Sequence, residues 1–257
     1  MDERAREQLL AKLCARAETS FGDDLRSVVL YGSAAQPSEH DPDYSDINVL
    51  CVVRAIDPAL LSSAQSFFEW CASHQVSAPL LLAESEIEGA SRCFAIEFRD
   101  MEHRRRILFG ADLFASTHVD EAAYRAQVEY ELRAKLFRLR QRIAAAFADK
   151  KLLSRLLLDS VTTFCVLFRH ALLADGVERA SEPQLDRRSV LNLAEQHFGI
   201  SAHVFQRLLD ARRSRIKRSM ICNTDLIAAY LKEIDIVINA TARRASSASS
   251  AGAIGEA

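Results

Sequence analysis

Apolar positions in the first half of the chain change period from one segment to the next. In residues 2–19, Leu9, Leu10, Leu13 and Ala17 recur at helical spacing and predict an amphipathic helix. Residues 25–31 (LRSVVLY) form a β-rich run that predicts a buried strand, turned by Gly32 and Ser33. Residues 47–53 (INVLCVV) predict a second strand. Pro58 suits the first position of a helix, and residues 59–74 carry Leu60, Leu61, Phe67, Phe68 and Trp70 on a helical pattern. Further on, residues 79–82 predict a short strand, 84–90 a helical turn, 93–98 another strand and 100–109 a short helix. Helices alternating with strands predict an α/β or α+β unit built on a small sheet.

The pattern changes beyond residue 120. Helical periodicity predicts long helices over 121–148 and 152–173, the second with Leu156, Leu157, Val161, Phe164 and Phe168 on one face. Gly176 breaks it, and helices are predicted over 189–198, 201–213 and 224–240. This reads as an up-and-down helical bundle. Residues 243–257 (RRASSASSAGAIGEA) are low-complexity and predict a disordered tail. The expected fold class is α+β: a sheet domain over 1–115, a helical bundle over 116–242 and a tail over 243–257.

Composition narrows the function classes. A chain of 257 residues with 49% hydrophobic content can bury a core without staples. The formal net charge of -2 gives no global basic field, so nucleic acid is not the expected partner. The 6 cysteines are scattered, with no metal-ligand spacing, and are expected as reduced core thiols. No apolar run approaches the roughly 18 residues of a membrane span, and the charged MDERAREQ start is unlike a signal peptide, so a cytoplasmic protein is expected.

The densest chemistry lies in residues 28–53, VVLYGSAAQPSEHDPDYSDINVLCVV. Gly32 permits close backbone approach to a phosphate chain, and Ser33 adds a small hydroxyl donor. Residues at i and i+2 of a strand share a face, so Asp46 and Asn48 are expected to project together while Ile47 and Val49 enter the core. A pair of carboxylates at this spacing would suit Mg²⁺; here the second position is an amide.

A helix, an apolar strand ending in Gly32-Ser33, a polar loop and then Asp46-Ile47-Asn48 resemble the polymerase-β-like nucleotidyltransferases over roughly residues 21–109. The helical half is similar in architecture to kanamycin-nucleotidyltransferase-like members. The resemblance implies that Gly32 and Ser33 hold a nucleoside triphosphate, most simply ATP. It implies a third carboxylate on a later strand, matched by Glu97 in FAIEFRD. Asp46 and Glu97 would be catalytic, and Asp46, Asn48 and Glu97 would hold Mg²⁺. The family's second Asp is Asn48 here, which removes one negative charge and weakens that metal site.

Two readings compete on these residues. One is an enzyme moving a nucleoside monophosphate to a hydroxyl of a small molecule or protein. The other is a binding or regulatory module that has lost turnover and uses its helical half for a partner or for a homodimer; Asn48 favours it. The loop acids Glu39, Asp41 and Asp43, with His40, read as solvated loop residues. The basic runs at residues 103–106 and at Arg207, Arg212, Arg213, Arg215, Lys217 and Arg218 read as solvated helix faces paired with acids, and His170, His197 and His203 as surface or satisfied core residues.

Overall fold

The structure, a computed structural model, describes residues 3–35, 47–74, 76–182 and 185–252. The chain divides into two compact units, Met1–Asp120 and Glu121–Ala257.

The first unit is built on a four-stranded sheet in the order β3-β2-β1-β4. Strand β1 (Leu25–Tyr31) lies antiparallel to both β2 (Asn48–Val53) and β4 (Arg105–Gly110), and β3 (Leu80–Ala83) runs parallel to β2. Helix α1 (Glu3–Phe21) buries Arg6, Leu10, Leu13, Ala17 and Phe21. Helix α2 (Pro58–Ser73) buries Leu60, Ala64, Phe67, Trp70 and Cys71. Period-two alternation turns Val28 and Leu30 of β1, and Val49, Cys51 and Val53 of β2, into one core with these helices. Phe67 lies at its centre, edge-on to Phe21 with centroids 5.5 Å apart. Asp57 caps α2 by accepting from Leu60 N–H at 2.8 Å, with Pro58 at the first helical position.

The segment after β3 departs from the sequence expectation. Residues 93–98, expected as a strand, end α3 (Ile87–Cys93) and open α4 (Ala95–His103). Residues 100–109, expected as a helix, finish α4 and then form β4. The buried positions Ala95, Ile96, Phe98 and Met101 follow helical spacing, so α4 has one inward face. β4 is an edge strand with no fully buried residue, which blurs its alternation. Gly110 ends β4 at φ +74°, and a Cβ there would meet the Arg26 carbonyl oxygen at 2.0 Å.

The second unit contains α5 (Glu121–Ala146), α6 (Lys150–Ala174), α7 (Arg187–Phe198), α8 (Ala202–Arg212) and α9 (Thr224–Gly252). Helix α6 packs against α5, α7, α8 and α9 and is the axis of this unit. It is the one helix among the described residues long and apolar enough to cross a membrane, where the sequence reading finds no apolar run of that extent. However, 61% of its apolar window is buried against the other helices, as a core helix requires. Phe164, Phe168, Phe205 and Tyr230 form a chain of ring contacts at its centre. Beside them, Tyr124 Oη and His170 Nδ1 lie 2.8 Å apart in full burial. Helix α9 continues through residues 243–252, where composition predicts a tail; alanine is the strongest helix former, and extending an existing helix avoids the nucleation cost. The remaining five residues of the expected tail, 253–257, lie outside the described residues.

Truncating Phe67 to Ala is expected to lower stability by about 3–5 kcal/mol, because its site is closed on all sides. Tyr124→Phe removes a buried hydroxyl bond and is expected to cost about 1–3 kcal/mol. Urea denaturation of each variant against the parent checks both.

Candidate active site

The site forms where β1 ends. Register places Asn48 of β2 and Arg105 of β4 on either side of Tyr31, and cross-strand partners project to the same face. That face is opposite the α1–α2 core, and α4 packs on it against β1 and β4. Directly after Tyr31 the chain enters a tight turn, Gly32–Ala35. Gly32 takes φ +74°, a conformation that only glycine adopts at little cost. Its N–H donates to the Arg104 carbonyl at 3.2 Å, tying the turn to the α4–β4 junction. Gly32 N–H is therefore committed to the protein, and the residue contributes shape.

Asn48 lies against this turn. A Cβ built on Gly32 would come 3.3 Å from Asn48 Nδ2, so the side-chain amide covers the glycine. Asn48 is half-buried, as is Glu97. Burial raises the Tyr31 phenol well above its ordinary value, and the negative charges of Glu97 and then Asp100 raise it further. Tyr31 is thus a neutral phenol that can donate but cannot act as a base, and Glu97 and Asp100 belong to its surroundings.

The expected site residues fall out unevenly. Gly32, Asn48 and Glu97 gather around the end of β1. Glu97 reaches this place from helix α4, whereas the family pattern implies a strand. The two strands after β2 read LLLA and RRILFG, and neither carries an acid. Asp46, the loop acids and the Ser33 side chain lie outside the described residues. Among the described residues no three His, Cys, Asp or Glu side chains converge on a metal position. Sequence reasoning assigned no role to Tyr31 or Asp100. For Tyr31 the signal was present, since strand parity puts it on the Asn48 face.

Four arginines of the basic runs are held by contacts within their own units. Arg105 donates to Asp112 Oδ2 at 2.8 and 3.1 Å and to the Met101 carbonyl at 3.0 Å. Arg106 makes two bonds of 2.7 Å to Glu7 on α1, and that hydrogen bonding holds the Glu7 carboxyl below its usual range. In the second unit, Arg212 donates to the Leu158 carbonyl at 2.7 Å, and Arg215 pairs with Asp210 at 3.7 Å. His197 Nε2 lies 3.0 Å from Asp175 Oδ2. The 6 cysteines are free thiols; Cys51, Cys71 and Cys165 are buried, and burial pushes Cys71 up to about 11.

Compared by sequence, the chain matches no protein-family model and no curated protein. Compared by structure, it is similar to the crystal structure of spectinomycin adenyltransferase AAD(9) from Enterococcus faecialis with ATP and spectinomycin. The two share 12% identity with a TM-score of 0.51, over 92% of this chain and 99% of that one.

Gly32→Ala is expected to cost about 1–2 kcal/mol from the left-handed backbone alone, and to displace the Asn48 amide. Gly89→Ala, in helix α3 with nothing within 4 Å, is the matched control and should be neutral or stabilising. Denaturant midpoints of the two variants measure the difference. Absorbance titration of Tyr31→Phe against the parent gives a second check. The folded phenol ionises above the ordinary tyrosine range, so stability held by neutral Tyr31 is present below about pH 10 and is lost as pH rises through the folded value.

Proposed function

We propose that the protein, whose fold of a small mixed sheet followed by a helical unit is similar to that of an adenyltransferase, transfers a nucleoside monophosphate, most simply AMP from ATP, to a hydroxyl of a small molecule or a protein. The observation that carries this reading is the glycine turn at the end of β1, with Asn48 against it and Glu97 on the adjoining helix. The similarity to a structure with ATP and spectinomycin supports a triphosphate co-substrate and, of the two acceptor classes, a small molecule.

In this reading Gly32 and Ser33 shape the seat of the triphosphate, and Asp46 belongs to the same catalytic set. The acceptor oxygen attacks the α-phosphorus, forming an O–P bond. The bond from the α-phosphorus to the bridging oxygen breaks, and pyrophosphate leaves. Glu97 takes the acceptor proton as general base. Positioning of the acceptor and in-line geometry supply most of the acceleration. Tyr31, neutral beside Glu97, donates to the carboxylate or the acceptor and holds either in place.

Pyrophosphate release from ATP, with a panel of polyhydroxylated acceptors headed by spectinomycin, tests the reading. Acceptor-dependent release is expected in the parent, falling about 10²- to 10⁴-fold in Glu97→Gln, the range for loss of a general base. Release unchanged in Glu97→Gln would remove the base assignment. Absence of ATP binding, and of release with every acceptor, would sink the transferase reading.

A further inference from the structure

Helix α5 carries apolar residues on two faces. One line, with Val128, Leu132, Leu136, Leu139 and Ile143, is buried in the second unit, where α5 packs against α6 and α9. A second line runs along the outside. Tyr130 and Phe137 are 65% and 54% exposed and stand two turns apart, with Ala134 between them. Single exposed apolar residues need no partner, but two aromatic rings aligned on one helix face are the kind of anchor that interfaces use.

The charges of α5 select the occupant. Residues 121–131 carry three acids and one base, and residues 132–142 carry five bases and no acid. A second copy of the helix lying antiparallel sets each half against its opposite. With a twofold axis at Ala134, the small side chains meet at the centre. Tyr130 of one copy then falls beside Phe137 of the other, because the two positions are almost equally distant from the axis. Glu131 and Arg138 lie on the same flank of the apolar line, and in an antiparallel pair equal flanks meet. Glu131, which pairs with Lys135 of its own helix at 3.6 Å, therefore also faces Arg138 of the other copy, and the axis repeats that contact. We propose that α5 is the interface of an antiparallel, twofold-symmetric homodimer, closed by Tyr130, Ala134 and Phe137 and oriented by the Glu131–Arg138 pairs. The pairing is independent of the transfer reaction.

Sedimentation equilibrium of the full chain tests it. A single helix pair is a small interface, so the parent is expected to be dimeric at micromolar concentration. Phe137→Glu is expected to weaken the dimer by at least about 30-fold, the span of an interface anchor. Its ring is exposed, so the fold is retained, which a thermal melt checks. Glu131→Arg and Arg138→Glu, each alone, are expected to weaken the dimer about 10-fold by setting like charges together. Mixing these two single variants is the decisive step, because both charge pairs are then restored in the heterodimer, which is expected to form with the affinity of the parent. No gain on mixing would overturn the proposed orientation and with it the inference. A dimer unaffected by Phe137→Glu would place the interface elsewhere and overturn it too. A parent that stays monomeric at high micromolar concentration would also overturn it and leave the α5 line to a different protein.

Discussion

Strand β1 is paired along both edges, with β2 on one side and β4 on the other. Its register fixes the rest of the first unit. Val28 and Leu30 must face α1 and α2, because those positions carry the buried stripe that closes the core. Tyr31 then has to face the opposite side, and its two cross-strand partners follow it there. One residue later the chain must leave the sheet. Gly32 does so at positive φ, with its N–H held by the Arg104 carbonyl. A slip of one residue in β1 would send Tyr31 into the core and Leu30 out of it.

The turn, the amide and the helix-borne carboxylate are consequences of that pairing rather than separate features. Asn48 covers Gly32 because β2 starts opposite the end of β1. Glu97 comes near Tyr31 because α4 leads directly into β4, and β4 must return beside β1. The bidentate Arg106–Glu7 contact ties that returning strand to α1 from the other face, since Arg106 pairs with Leu30 and so shares the core side. Arg106, at the start of β4, therefore fastens the edge of the sheet.

Charge at the site follows the same economy. Burial keeps the Tyr31 phenol neutral, and the charges of Glu97 and then Asp100 add to that effect. Next to the turn the side chain is an amide.

The sequence by itself determined the elements whose hydrophobic period is unambiguous. Strands β1 and β2, helices α1 and α2, and the helical bundle core around α6 were legible because each has one clear inward face or a continuous apolar run. The Gly32 turn was legible because Gly and Ser punctuate the end of an apolar run. Tertiary structure alone decided the segment from Ile87 to Gly110. There the apolar residues are too few to distinguish period two from period 3.6, and the half-exposed edge strand Arg105–Gly110 shows no alternation. What settles it is the empty edge of β1, which takes the Arg105–Gly110 run as its partner and leaves the preceding residues to coil over the open face. Glu97 moved from a strand to a helix for that reason. The sequence named the residue, but only packing could say from which side it approaches Tyr31.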